Sequence, residues 1–171
     1  MNILFDLDDT LHDKKASLRN YALSIWDNNS SCIESDQNSF VSAFINENSI
    51  IQPKVDVFKN LSLKFHISKN VSDRLLNEFD STFHEFAVPF SNASAVLKFS
   101  KDADVNIACV TNGRDFFQKN KISALGFSPY FDVLITSGGF GVKKPDHSIF
   151  LESLRLLGSD NDFTCFCGDS L

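Results

Sequence analysis

Asp6 and Asp8 stand two residues apart at the end of the short apolar run Asn2-Ile-Leu-Phe-Asp6. Residues two apart on an extended chain point to the same side, so this spacing delivers two carboxylates to one place. One can attack an electrophile while the other moves a proton. Like charges so close repel unless a cation joins them, which implies a divalent metal, and oxygen ligands beside a phosphate suit magnesium. Taken alone, Asp6-Leu-Asp8-Asp-Thr10 reads equally well as an aspartate-rich turn or a helix cap at a strand exit.

Three more polar clusters follow apolar segments. Thr111-Asn112-Gly113 comes after a run ending at Val110, where a hydroxyl and freed backbone amides could cradle an anion or merely cap a helix. Lys143-Lys144-Pro145-Asp146 supplies two adjacent ammonium groups, a pattern more often solvated than functional. Gly168-Asp169-Ser170 closes the last apolar run. His12 reads as a hinge or surface residue ahead of any substrate contact.

The elements that must position these residues can be read from periodicity. Asn2–Asp6 is too short for a helix and predicts the first central strand. From Lys14 to about Phe86 the spacing turns helical. Leu18, Tyr21, Ala22, Ile25 and Trp26 mark one helix, Phe40 to Ile45 a second, Val55 to Phe65 a third and Leu75 to Phe86 a fourth. The Asn- and Ser-rich stretch 28–37 predicts a loop among them. After Pro89 helices and strands alternate: a helix near 91–101, a strand at 105–110, a helix near 114–125 stopped by Gly126, a strand at 131–135, a helix from 147 to 157 stopped by Gly158, and a strand at 163–167. This alternation predicts an α/β fold, a doubly wound, Rossmann-like parallel sheet. Residues 1–13 and 88–171 form the core domain, and 14–87 an inserted α-helical cap. All four polar clusters then fall at strand ends, where such sheets gather ligands.

Composition narrows the partners. The net charge of −6 and the absence of a basic run argue against nucleic acid. The first apolar segment lacks a basic leader and runs into acids, so neither a signal peptide nor a membrane span is expected, and the cytoplasm is the default compartment. Cys32, Cys109, Cys165 and Cys167 make no metal-binding pattern, and Cys165 and Cys167, on one face of a predicted buried strand, read as small core residues.

The order and spacing of the four clusters, with a helical insertion after the first, resemble the haloacid dehalogenase-like hydrolase superfamily, in its phosphatase branch with a helical cap between the first and second motifs. The resemblance implies that Asp6 is the nucleophile of an aspartyl-phosphate, Asp8 the general acid/base and Thr10 the hydroxyl that orients the nucleophile. It further implies that Thr111, Asn112 and Lys144 contact the substrate phosphate, and that Asp6, Asp8 and Asp169 hold Mg2+. Lys144, directly before Pro145, matches the third motif and Lys143 does not; the glycine-rich segment 137–141 is the loop delivering the lysine. The implied substrate is a small phosphorylated metabolite, with the tract from Thr111 to Phe150 nearest to members acting on nucleoside monophosphates. The alternatives are a sugar-phosphate mutase using the same phospho-aspartate, or a truncated non-catalytic remnant that binds phosphate or a partner. In the family the fourth motif continues with a further acid, a helix and a strand; since this chain stops at Leu171, the strand 163–167 is expected to be bare along one edge and the chain only marginally stable.

Overall fold

The computed structural model describes residues 1–158 and 163–169; Ser170 of the last polar cluster lies outside the described residues. The chain divides into two compact units, Met1–Lys14 with Ala87–Leu171, and Lys15–Phe86.

The first unit is built on a parallel sheet. Its strands are β1 (Asn2–Phe5), β2 (Asn106–Thr111), β3 (Val133–Thr136) and β4 (Thr164–Cys167), in the order β3-β2-β1-β4. Asn2 pairs with both Asn106 and Thr164, and the register carries Phe5 to Cys109 on one side and Cys167 on the other. The helices are α5 (Ala93–Asp102), α6 (Asp115–Ala124), the short α7 (Ser137–Phe140) and α8 (His147–Leu156). One sheet face packs Phe5, Ile107 and Cys109 against Ala93, Leu97, Ile122 and Phe127. The other packs Leu4, Ala108, Val110 and Ile135 against Ile149 and Leu154 of α8. Strands covered on both faces are what a doubly wound sheet requires, and they explain why β2 reads as a continuous apolar run.

The cysteines of β4 depart from expectation. Cys165 and Cys167 are exposed, not core residues. Register places them on the face of Ile3 and Phe5, yet β4 is an edge strand among the described residues, and the helices covering that face pack over β1 and β2 instead. Strand periodicity shows which side chains share a face, but burial depends on what lies above it.

The second unit contains α1 (Lys14–Asn29), α2 (Gln37–Ser49), α3 (Lys54–Lys64) and α4 (Lys69–Thr82), with a 3-10 turn at Phe83–Phe86. Asp36 starts α2 by accepting from the Ser39 amide at 3.0 Å. The region expected to be a loop is shorter than read, since α1 runs on to Asn29 and a 3-10 turn covers Ser30–Cys32. Aromatic rings fill the interior: Tyr21 meets Phe79 at 5.3 Å and Phe86 at 5.2 Å between centroids, both edge-on.

Candidate active site

The loop leaving β1 is a tight turn. The Leu7 carbonyl accepts from the Leu11 and His12 amides at 3.0 and 2.9 Å, and the Asp9 amide donates to the His12 carbonyl at 2.9 Å. Asp9 holds a left-handed φ of 59°, which aspartate tolerates better than most residues. This turn sends Asp6 and Asp8 to different lysines.

Asp6 is buried, and its Oδ1 accepts from the Leu7 amide at 2.6 Å. The Lys144 ammonium lies 2.6 Å from its Oδ2. Two features bring Lys144 there. The Asn112 side chain grips its backbone at both ends, accepting from the Lys144 amide at 2.8 Å and donating to its carbonyl at 3.1 Å. The Phe166 ring lies 5.2 Å from Nζ, a cation–π contact from β4. Lys143 is exposed. Asn112 therefore places the Lys144 backbone through its side-chain amide.

Asp8 is engaged on both oxygens. Oδ1 lies 2.6 Å from His12 Nδ1 and 2.5 Å from Lys121 Nζ, while Oδ2 accepts from Gln118 Nε2 at 3.2 Å. Burial would raise the Asp8 carboxyl, but the Lys121 charge and the His12 hydrogen bond outweigh it and hold the group far below the usual carboxylate range. His12, read as a hinge or surface residue, is fully buried. It bridges to Pro89, and its ring meets the Asp8 carboxylate.

Thr111 ends β2 almost wholly buried, with its Oγ1 accepting from Gln118 Nε2 at 2.6 Å. The next turn is fastened to α7: the Gly113 amide donates to Ser137 Oγ at 2.9 Å, and the Gly138 amide to the Gly113 carbonyl at 2.9 Å. A Cβ on Gly138 would meet that carbonyl at 2.7 Å, so the glycine-rich segment serves close backbone approach. It forms the four-residue helix α7, where an open loop was expected.

Asp169 follows β4, and its amide donates to Thr10 Oγ1 at 3.1 Å, tying the end of β4 to the loop after β1. The Asp6 amide donates to the Cys167 carbonyl at 2.8 Å, so these acids leave neighbouring strands side by side. The Asp9 carboxyl is raised, first by burial and then by the charges of Asp8 and Asp169. Acids converging closely enough to perturb one another fit a hard cation. Among the described residues no three His, Cys, Asp or Glu side chains form a metal cage. Magnesium needs none, since one or two carboxylates with water and phosphate oxygens satisfy it. Of the expected ligands Asp6, Asp8 and Asp169, the Asp8 side chain is turned to Lys121 here.

Periodicity did not single out Gln118 and Lys121. The available signal was their i, i+3 spacing beside the buried Ile122, which puts two polar side chains where α6 should present apolar ones.

The chain is 28% identical over 174 residues to a glyceraldehyde 3-phosphate phosphatase of Methanocaldococcus jannaschii, covering 98% of this chain and 75% of the relative. It is 31% identical over 103 residues to a pyrimidine 5'-nucleotidase of Escherichia coli, covering 59% of this chain and 45% of that one. The fold superposes on the crystal structure of a phosphatase from Thermococcus onnurineus with a TM-score of 0.63 at 22% identity, covering 99% of this chain and 77% of the other. Among the described residues no helix is long and apolar enough to cross a membrane. The family match itself runs over residues 3–171, from β1 with its acids through the lysine of the 143–146 loop to the acid after β4, and on that span the chain belongs to the haloacid dehalogenase-like hydrolase family.

Proposed function

We propose that this protein is a magnesium-dependent phosphatase that hydrolyses small phosphomonoesters through an aspartyl-phosphate on Asp6. The observation that carries the reading is the buried Asp6 carboxylate with the Lys144 ammonium 2.6 Å away, at the carboxyl end of a central strand. In the first half-reaction Asp6 attacks phosphorus, the ester P–O bond breaks, and the leaving oxygen takes a proton from Asp8 in its protonated form, which the lowered Asp8 carboxyl makes the minor one. In the second, Asp8 takes a proton from water, which attacks phosphorus and releases phosphate from Asp6. Lys144 offsets the charge gathering on Asp6 and the phosphoryl oxygens, and the Thr111 hydroxyl donates to one of those oxygens. Thr10 holds the end of β4 against the loop bearing both acids. Asp6 and Asp169, within the acidic cluster they share with Asp8, would hold magnesium, which when bound supplies further neutralisation of phosphoryl charge.

Two curated relatives are named for a sugar phosphate and a nucleotide, which supports a small phosphorylated metabolite as substrate, nucleoside monophosphates included. The four free cysteines suit the cytoplasm, where thiols stay reduced. The test is turnover of an aryl phosphate with magnesium. Activity should disappear in chelator, return poorly with calcium, and vanish in Asp6→Asn, while radiolabelled phosphate is trapped on Asp6. A label on another residue, or parental rates in Asp6→Asn, would sink the mechanism. Stoichiometric release of inorganic phosphate separates hydrolysis from a mutase, which returns the group to its substrate.

A further inference from the structure

Gln118 sits where the two halves of the site meet. The residue is 1% exposed, and its Nε2 lies 2.6 Å from Thr111 Oγ1, 3.0 Å from the Asn112 carbonyl and 3.2 Å from Asp8 Oδ2. A backbone carbonyl can only accept, so the contact with Asn112 fixes which end of the amide faces the site. An amide nitrogen in turn cannot accept, so the Thr111 hydroxyl receives a hydrogen there and cannot spend its own on Gln118. That hydrogen is left for an anion arriving in front of β2. Gly113 makes the arrangement possible: a Cβ there would fall 2.9 Å from Gln118 Cγ and Cδ, displacing the amide. Its φ of 148° is likewise one that side-chain-bearing residues rarely adopt.

We infer that Gln118 is a positioning residue that turns the Thr111 hydroxyl into a dedicated donor to the phosphoryl group and couples that donor to Asp8. The inference rests on the phosphatase reading for its ligand. It needs only an anion at Thr111, so phosphate binding can be measured apart from turnover. Gln118→Met keeps the length of the side chain and removes the donor; Thr111→Val removes the hydroxyl and keeps the shape.

The experiment is calorimetric titration of inorganic phosphate, with magnesium, into the parent, both single variants and the double variant, beside KM and kcat for an aryl phosphate. Gln118→Met should weaken phosphate binding about tenfold, the scale of one hydrogen bond in a buried site. KM should rise with it. The double variant should bind phosphate no worse than Thr111→Val alone, because the two residues act as one unit. If Gln118→Met melts without cooperativity, Gln118→Glu takes its place; its carboxylate accepts the Thr111 hydrogen, so phosphate affinity should fall further. Parental phosphate affinity in the Gln118 variants, or losses that add in full, would overturn the inference while leaving the phosphatase reading standing. A parent that binds phosphate with this coupling but turns nothing over would overturn the phosphatase reading alone, and one that binds no phosphate would overturn both.

Discussion

Lys121 and Asp8 form a largely buried ion pair between α6 and the loop after β1, with 2.5 Å between Nζ and Oδ1 and the lysine side chain only 3% exposed. The proposed proton carrier is thus held by a cation from an element 113 residues further along the chain. Removing one partner of such a pair strands the other, at a cost on the order of 3 kcal/mol. Lys121→Met should therefore lower stability and turnover together. Adding Asp8→Asn should recover much of the stability and none of the rate. Melting curves and aryl phosphate turnover on the three variants check this, and a double variant as unstable as Lys121→Met would show that the pair is not what Lys121 supports.

The two neighbouring lysines should behave unlike each other. Lys144 touches Asp6 and is placed by Asn112 and Phe166, whereas Lys143 is exposed. Lys144→Ala should lose roughly a hundredfold or more in kcat, the scale for one electrostatic donor in a catalytic site, and Lys143→Ala less than twofold. Steady-state kinetics decide it, and equal losses would mean that the wrong lysine has been assigned.

Gly138→Ala tests the fastening between β2 and α7. The added methyl would meet the Gly113 carbonyl at 2.7 Å and Arg114 Cα at 2.9 Å, both backbone atoms that cannot swing aside. Overpacking of this kind costs about 1–3 kcal/mol and should push the Thr111 turn away from its place, raising KM more than it lowers kcat. An unchanged KM in a destabilised variant would show that the turn does not depend on α7.

Asp132 gives a pH dependence unconnected with catalysis. Its Oδ2 accepts from the Ile107 amide at 2.8 Å and its Oδ1 pairs with Lys101 at 2.5 Å. Burial raises its carboxyl, but those contacts prevail and leave it below its ordinary value of 3.8. A carboxyl lowered on folding stabilises the fold fully above its unfolded value, and that contribution is lost as pH falls through the folded one. Asp132→Asn should therefore melt below the parent at pH 7 and at pH 5, with the gap closing as pH drops under 3.8. A gap that stays constant down to the acid range would mean that the charge is not what matters.

Much of this architecture was readable from apolar spacing. The runs behind β1 and β2 and the four helices of the second unit lie within a few residues of where periodicity puts them, because each is decided by the contrast between its own faces. The acids after β1, the Thr111 turn and Lys144 could be picked out because they stand at the ends of such runs. What escaped depended on distant partners. Lys121 and Gln118 look like ordinary residues of a surface helix until α6 lies against the loop holding Asp8, and Asn112 looks like a cap until Lys144, 32 residues later, comes under its amide. Cys165 and Cys167 show the converse, a strand pattern that gives the shared face correctly and says nothing of its cover.

The pairing of Asn2 with Asn106 and Thr164 also sets the order in which the chain can fold. Bringing such distant segments together carries a closure entropy that grows with the length between them, and parallel pairings of this separation form slowly. The helices of Lys15–Phe86 make contacts close in sequence and can form while the strands are still searching. Once compact, they replace a long floppy loop by a short one whose two ends meet where the Asp13 amide donates to the Val88 carbonyl at 2.8 Å. Refolding should thus begin with a fast gain of helix and only later close the sheet, so the residues proposed for chemistry are assembled last.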